Sequence, residues 1–196
     1  MNILKLQNSG RLFFTVSNIS EILKITEESA RVLASRYVKK GLLARIKKNV
    51  YIMNERFVRA DWNELFQISG ILQTPSYISF MTALSYHEIT TQVTRSVVEC
   101  VGEARTTEYE AAGTLFTYRR FKKILFFGFE KKDKFFIAEP EKALLDCIYL
   151  MSRGAYNLDM ESIDIRKFSE KKLDRYSKKF NKKTRILLAK ILNSRT

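Results

Sequence analysis

The chain has 196 residues, of which 45% are hydrophobic, and it contains only 7 glycines and 2 prolines. This composition argues against a disordered chain and provides enough apolar residues for one large core or two small ones. A formal net charge of +14 at pH 7 indicates a polyanionic partner, with nucleic acid as the leading candidate.

The positive charge is concentrated at the two ends of the sequence. Residues 1–60 carry 12 Lys and Arg against 4 Asp and Glu, residues 61–165 carry 11 against 15, and residues 166–196 carry 12 against 2. The formal charges of the three segments are therefore +8, −4 and +10. A charge that served only solubility would not be divided in this way, so we expect the basic ends to contact a polyanion.

The cysteines and the hydropathy pattern indicate the cellular location. Cys100 and Cys147 both lie among apolar residues, and the sequence does not open on the apolar run of a signal peptide. We therefore expect buried, reduced thiols and a cytoplasmic protein. No segment reaches the roughly 18 consecutive apolar residues of a membrane span, so a membrane is not an expected partner.

The first part of the chain predicts two short helices. Residues 1–9 predict a weakly amphipathic helix that closes a small core. Residues 14–23 predict a second helix, with Thr15 or Ser17 as its N-cap, because apolar residues recur there at helical spacing. Only a tight turn separates this helix from the next one.

Residues 26–40 predict an amphipathic helix with a defined start and end. Thr26 is a favoured N-cap, and Gly41 is a favoured residue just after a helix. The predicted buried stripe consists of Ala30, Leu33, Ala34, Tyr37 and Gly41. The predicted outward face consists of Glu28, Arg31, Val32, Ser35, Arg36 and Lys39.

A basic hairpin follows this helix. Branched and aromatic residues in 42–46 and 50–53 predict two strands, and residues 47–49 predict the turn between them. Two closely spaced helices followed by a basic hairpin are typical of a winged helix-turn-helix, in which the second helix enters a DNA groove. We therefore predict a DNA-binding domain of this type in residues 1–56. The alternative is an ordinary helix pair and hairpin with solvated charges.

The candidate DNA contacts come from the second helix and the hairpin turn. They are Thr26, Ser29, Arg31, Ser35, Arg36, Lys39, Lys47 and Lys48. Arginine can pair bidentately with guanine in the groove, whereas the two turn lysines are expected to contact backbone phosphate. Glu28 also faces outward, where it either repels phosphate or accepts a hydrogen bond from a cytosine.

Residues 57–196 predict a second domain of α+β class. Helices are expected at 61–72, 79–89, 139–150, 169–180 and 183–192. Strands are expected at 96–101, 114–121, 124–129 and 134–138, and together they predict an antiparallel sheet of four or five strands. Ser79 is the expected cap of its helix, and Pro140 is the expected first residue of the helix that packs deepest.

The chain ends in a basic helical tail, residues 166–196. Its cations are a candidate second nucleic-acid contact, and a solvated lysine face is the alternative. The candidate residues are Lys171, Lys172, Arg175, Lys178, Lys179, Lys182 and Lys183.

Residues that could support catalysis or metal binding are sparse. His87, the sole histidine, is expected to be packed or hydrogen-bonded rather than paired with the adjacent Glu88, because neighbouring helix residues do not face each other. Lys142 and Asp146 are four residues apart and are expected to pair on a helix surface. We therefore predict no catalytic site, no metal site and no cofactor. A cryptic nuclease or transferase built on Glu139, Glu141, Lys142 and Asp146 is the alternative.

Four motifs resemble one protein family over nearly the whole sequence. They are GLLARIKKNVYI, ISFMTALSYHEITTQ, FFGFE and FFIAEPEKALLDCIY, in this order. With these motifs the chain resembles the AbiEi-type antitoxins of bacterial type IV toxin-antitoxin and phage-defence systems. The resemblance implies an autorepressor that binds inverted repeats in its own promoter. It also implies a C-terminal domain that counters a nucleotidyltransferase toxin without needing a stable complex with it.

A second interpretation retains the DNA-binding domain but assumes no link to a toxin. In it, the chain is a winged-helix transcriptional regulator whose second domain mediates dimerisation or senses a ligand. Growth rescue in the presence of a toxin separates the two interpretations.

Overall fold

The computed structural model describes residues 2–92, 96–111 and 113–193, and it has a mixed α+β fold, as the sequence predicts. Tertiary contacts divide the chain into two compact units, Met1–Leu65 with Ala111–Gly113 and Phe66–Glu110 with Thr114–Thr196. The predicted DNA-binding segment, 1–56, lies within the first unit. Among the described residues, none of the helices combines the length and apolar character that crossing a membrane requires.

The first unit consists of short helices and a small sheet. Its elements are α1 (Asn2–Gln7), β1 (Phe13–Phe14), α2 (Val16–Leu23), α3 (Glu27–Lys39), β2 (Leu43–Lys47), β3 (Val50–Met53), α4 (Asn54–Val58) and the start of α5 (Trp62–Leu72). The sheet is antiparallel, in the order β1-β3-β2. The two strands of the predicted hairpin are present. The strand β1 was not predicted, because two residues are too few to show a period.

The starts of α2 and α3 are fixed by side-chain caps. The Thr15 hydroxyl accepts a hydrogen bond from the Asn18 backbone N–H at 3.2 Å, and the Asn18 carbonyl oxygen accepts one from the Thr15 N–H at 3.1 Å. This reciprocal pair is a capping box, so Thr15 and not Ser17 is the cap. The Thr26 hydroxyl accepts a hydrogen bond from the Ser29 N–H at 3.2 Å, which confirms Thr26 as the cap of α3.

The end of α3 is fixed by backbone geometry. Gly41 adopts a left-handed conformation with φ of +67°, which residues with a Cβ rarely adopt. The Gly41 N–H donates to the Val38 carbonyl at 3.0 Å, and the Leu42 N–H donates to the Tyr37 carbonyl at 2.9 Å. These two bonds form a Schellman motif, which ends the helix and directs the chain into β2.

Close packing of α2 and α3 forms the core of the first unit. Its buried residues are Leu6, Phe14, Val16, Ile19, Leu23, Ala30, Ala34, Leu43, Tyr51 and Met53. Ala30 and Ala34 have no exposed surface, and their small side chains let α3 approach its neighbours closely. Of the predicted stripe, Ala30 and Ala34 are buried, and Leu33 and Tyr37 are partly buried against the core. Gly41 is exposed, because it lies beyond the helix end.

The hairpin turn is shorter than predicted and is tied to α2. Lys47 is the last residue of β2, so the turn consists of Lys48 and Asn49. Asn49 takes the left-handed conformation, with φ of +64°. Its side-chain oxygen accepts a hydrogen bond from the Val16 N–H at 3.0 Å. This bond satisfies one of the backbone N–H groups that a helix start leaves without an intrahelical partner.

We expect Asn49→Ala to lower the free energy of unfolding of the full chain by about 1–2 kcal/mol. The substitution removes the hydrogen bond to Val16 and puts alanine in a left-handed conformation. Lys48→Ala, at the other turn position, is the control and should change this free energy by less than about 0.5 kcal/mol. Urea denaturation measures both values, and equal effects of the two substitutions would contradict an anchoring role for Asn49.

The remaining described elements are the six strands of a second sheet and four α-helices. They are β4 (Ser76–Ile78), α6 (Phe80–Tyr86), β5 (Val97–Gly102), β6 (Thr107–Ala111), β7 (Thr114–Arg120), β8 (Phe129–Lys132), β9 (Phe135–Ala138), α7 (Pro140–Met151), α8 (Glu170–Ser177) and α9 (Lys182–Asn193). The strand order is β6-β7-β5-β4-β9-β8. Short 3-10 helices lie at Lys123–Leu125, Met160–Ser162 and Ile165–Lys167.

The prediction of an antiparallel sheet was wrong. The strand β4 pairs with β5 in antiparallel orientation but with β9 in parallel, and β5 pairs with β7 in parallel. Side chains alternate between the two faces in both kinds of strand, so residue alternation does not determine orientation. The strand predicted at 124–129 was also wrong, because Lys123–Leu125 is a 3-10 helix and β8 begins at Phe129. The strands β4 and β6 were not predicted.

The helices of the second unit agree better with the sequence. Pro140 is the first residue of α7, and this helix is buried from Glu141 to Leu150. The two terminal helices α8 and α9 are present. Ser79 lies at the N-cap position of α6, but its hydroxyl makes no cap and donates to Asp146 at 2.8 Å. The helix α6 ends at Tyr86, before the predicted end at 89.

Candidate nucleic-acid interface

The predicted DNA-contacting residues of the first unit lie on α3, at its N-cap and in the β2–β3 hairpin. Thr26, Ser29, Arg31, Ser35, Arg36, Lys39, Lys47 and Lys48 are all exposed. Glu28 and Val32 are exposed on the same helix. We call the exposed residues of α3 the α3 face. Its hydroxyl and basic groups are those that commonly contact phosphates and base edges.

The cations of the α3 face are not neutralised within the protein. Among the ion pairs of the described residues, none involves Arg31, Arg36 or Lys39. These charges are therefore available to an external anion. The hydroxyls of Thr26 and Ser29 lie 3.0 Å apart at the start of α3, where the helix dipole and backbone N–H groups favour a negative partner.

The basic tail is less uniform than its sequence suggests. Lys171, Arg175, Lys178, Lys179, Lys182 and Lys183 are exposed, as predicted. Lys172 is an exception, because its ammonium group donates to Glu139 at 2.8 Å, and this hydrogen bond raises the pKa of Lys172. Lys178 pairs with Asp174 at 2.7 Å. The tail therefore offers fewer free cations than its net charge implies.

One lysine of the tail lies on an aromatic ring. The Lys179 ammonium group is 4.0 Å from the ring centre of Phe127, a residue of the FFGFE motif. This cation–π contact orients the side chain without neutralising its charge. Lys182 and Lys183 follow at the start of α9, so three exposed lysines cluster where the chain passes from α8 to α9.

Lys142 and Asp146 lie in the core and not on a helix surface, contrary to the prediction. Both residues have no exposed surface. The Lys142 ammonium group donates to Asp146 and to the Tyr77 hydroxyl, the latter at 2.7 Å. The Asp146 carboxylate also accepts hydrogen bonds from Tyr77 at 3.0 Å and from Ser79 at 2.8 Å. We call these four residues the buried polar cluster.

Aromatic rings complete the surroundings of the Lys142 ammonium group. The ring centres of Tyr77, Phe121, Phe127 and Phe180 lie 5.1–5.5 Å from its nitrogen. Burial lowers the pKa of Lys142 and raises the pKa of Asp146, and the opposite charge of each partner opposes both shifts. Sequence reasoning missed Tyr77 and Ser79 as partners, because they lie more than 60 residues before Asp146 and carry no motif of their own.

The structure also bears on the hypothesis of a cryptic enzyme. A substrate cannot contact Lys142 or Asp146, since neither side chain is exposed. Glu141 is 4% exposed, and one of its carboxylate oxygens accepts from the Ser169 N–H at 2.9 Å. His87 Nε2 lies 2.8 Å from the Ala138 carbonyl oxygen and must donate to it, since a carbonyl only accepts. His87 is thus hydrogen-bonded, as predicted.

The thiols and carboxylates of the described residues form no evident metal site. No group of three or more His, Cys, Asp or Glu side chains is arranged to hold a metal ion in the described part of the chain. Cys100 and Cys147 are buried and free, as predicted. Burial raises the pKa of Cys100 to about 12, so the thiol stays protonated and unreactive at neutral pH.

No protein-family model matches the chain, and no curated protein matches it. Among solved structures, the chain is similar to that of the Rv2827c protein from Mycobacterium tuberculosis, with a TM-score of 0.63 and 9% sequence identity. The match covers 98% of this chain and 75% of that chain. At this level of identity, the similarity shows a shared fold and nothing about function.

We expect Asp146→Ala to lower the free energy of unfolding by about 3–5 kcal/mol, because it leaves the Lys142 ammonium group buried without a counter-charge. Replacing both partners, as Lys142→Met with Asp146→Leu, should cost clearly less, since no unpaired charge remains. Asp174→Ala breaks the exposed pair with Lys178 and should cost less than about 1 kcal/mol. Urea denaturation compares the three. Equal losses for the single and double replacements would contradict this account of the buried polar cluster.

Proposed function

We propose that this chain is a DNA-binding transcriptional autorepressor and antitoxin of the AbiEi type, with a winged helix-turn-helix as its DNA-binding domain. The observation that carries the proposal is the exposed, cationic α3 face within the element order α1-β1-α2-α3-β2-β3. In this proposal α3 is the recognition helix and the β2–β3 hairpin is the wing. The partner is double-stranded DNA that carries inverted repeats in the chain's own promoter.

The geometry of the first unit supports this assignment. Only Lys24, Ile25 and the cap Thr26 separate α2 from α3, which is the short connection of a helix-turn-helix. The strand β1 pairs with β3, so the hairpin is held in a three-stranded sheet beside the helices. The formal charge of +8 in residues 1–60 provides the phosphate neutralisation on which DNA affinity depends.

The antitoxin part of the proposal rests on the four sequence motifs. The FFIAEPEKALLDCIY motif contains Lys142 and Asp146, so in this chain it specifies the core of the second unit. The toxin is proposed to be a nucleotidyltransferase that is countered functionally, with no requirement for a stable complex. The proposal places both partners in the cytoplasm and requires neither a cofactor nor catalysis by this chain.

One observation favours the alternative of a ligand-sensing regulator. A groove of about 530 Å³ lies between α8, α9 and the 3-10 helix Ile165–Lys167. Apolar side chains such as Phe168 and Leu188 line it together with charged residues such as Arg185. Such a groove is large enough for a small molecule. Co-expression of the chain with a toxin encoded next to its gene separates the two proposals. Rescue of growth supports the antitoxin, and failure of rescue supports the alternative.

The deciding experiment is a titration of the full chain on the DNA upstream of its own gene and on a scrambled duplex, at two salt concentrations. Tight binding that is selective for the upstream duplex and weakens with salt supports the repressor. Equal binding to both duplexes would contradict it.

We expect Arg36→Ala combined with Lys39→Ala to weaken binding to the upstream duplex by about 10- to 100-fold, because a base or phosphate contact is lost at each position. Rescue from the toxin should survive, since both substitutions lie in the first unit. The matched control is Lys5→Ala with Arg59→Ala, which removes two exposed cations outside the α3 face. A gel shift measures affinity, and normal binding by the α3 variant would refute α3 as the recognition helix.

The basic tail predicts a second electrostatic contact. We expect replacement of Lys179, Lys182 and Lys183 by alanine to reduce the slope of log affinity against log salt by about 2, close to the value for two or three lost phosphate contacts. Replacement of Lys131, Lys132 and Lys134 removes the same charge from β8 and its loop and is the control. If both triple variants give the wild-type slope, the tail is a solvated lysine face.

A further inference from the structure

The buried residues of α3 show which exposed residues lie along the centre of the α3 face. Ala30 and Ala34 have no exposed surface, so they mark the inward side of the helix. At about 100° per residue, Val32 lies nearly opposite both alanines, with Glu28 one turn before it. Lys39 continues this line toward the end of α3, and the other basic residues of the face lie to its sides. If α3 enters a groove with this face toward the bases, Val32 and Glu28 lie closest to the base edges.

Val32 is an apolar residue at the centre of a polar face. Its side chain is 49% exposed, although valine usually gains free energy from burial. A single exposed apolar residue is ordinary on a protein surface, so exposure alone assigns no role. The position of Val32 is more informative, because polar and charged residues surround it on the face. In the major groove, the apolar feature that such a side chain can contact is the C5-methyl group of thymine.

Glu28 is a carboxylate on a face that otherwise attracts phosphate. Among the described residues it takes part in no ion pair. A carboxylate only accepts hydrogen bonds, and cytosine presents an amino donor in the major groove. Glu28 and Val32 are four residues apart, which corresponds to a rise of about 6 Å along the helix. This rise is close to the separation of two base-pair steps.

We infer that Val32 and Glu28 determine the sequence that α3 reads, with Val32 packed on a thymine methyl group and Glu28 accepting a hydrogen bond from a cytosine amino group about two base pairs away. This inference rests on the proposed function, in which α3 is the recognition helix. The neighbouring cations then supply affinity by contacting phosphate, whereas these two residues supply discrimination between sequences.

The test uses the full chain and the upstream duplex, with each thymine in turn replaced by deoxyuridine, which lacks the methyl group. We expect the wild-type chain to lose about fourfold in affinity at one such position, the value for one methyl-sized group removed from an apolar contact. Val32→Ala should bind the unmodified duplex at least about fourfold more weakly and should be insensitive to deoxyuridine at that position. Val58→Ala, at a valine of α4 that is 69% exposed, is the matched control and should behave as wild type.

Glu28→Gln provides a second, independent measurement. The amide loses a negative charge and gains a donor, so we expect tighter binding to the scrambled duplex. We also expect a loss of preference for cytosine at one position when each upstream base pair is substituted in turn. The combination of tighter and less selective binding is the signature of a carboxylate that reads a base. Equal tightening on the upstream and scrambled duplexes would overturn the role of Glu28.

The outcomes separate this inference from the function on which it rests. The role of Val32 is overturned if Val32→Ala binds the unmodified duplex with wild-type affinity. It is also overturned if Val32→Ala weakens binding by the same factor on the unmodified duplex and on every deoxyuridine-substituted duplex. In both cases selective binding by the wild-type chain still supports the repressor. Equal binding of the wild-type chain to upstream and scrambled DNA overturns the proposed function and this inference together.

Discussion

A lysine ammonium group with no exposed surface must find its hydrogen bonds and its counter-charge inside the protein. Lys142 obtains its counter-charge from Asp146 on the next turn of α7 and donates a hydrogen bond to Tyr77 on β4. The aromatic rings around it come from separate parts of the second unit, including Phe127 and Phe180. Because a buried charge without partners costs several kcal/mol, these segments are stable only when they are assembled together. The burial of this one charge therefore couples the segments that meet around it.

The backbone at Gly128 lies close to Lys142, so it forms part of the packing around this lysine. Gly128 has φ of +69°, and a Cβ at this position would lie 3.2 Å from the Lys142 Cβ and from the Tyr176 ring. The backbone of the FFGFE motif thus runs directly against α7. Two of the motifs that carry the family resemblance, FFGFE and FFIAEPEKALLDCIY, are in contact here.

The sequence predicts those features whose causes lie within a few neighbouring residues. The cap at Thr26, the stop at Gly41 and the buried alanines of α3 follow from local rules, and the structure confirms each of them. The location of Lys142 and Asp146 could not be predicted in this way, because an i,i+4 pair looks the same on a surface helix and in a core. The parallel pairing of β5 with β7 likewise depends on which strands become neighbours. Net charge predicted an excess of cations in the tail, but not that Glu139 and Asp174 would engage two of them.

The hydrogen bond from Val16 to Asn49 has a consequence for the rate and entropy of the proposed DNA binding. A loop that is disordered in the free protein loses conformational entropy when a ligand orders it, and this loss weakens binding. The turn of Lys48 and Asn49 is instead held against the start of α2 by the protein itself. If the proposed function is correct, this turn loses little entropy on contact with DNA. Association of the proposed repressor with DNA is then expected to be governed by diffusion and electrostatic attraction, so its rate should depend strongly on salt.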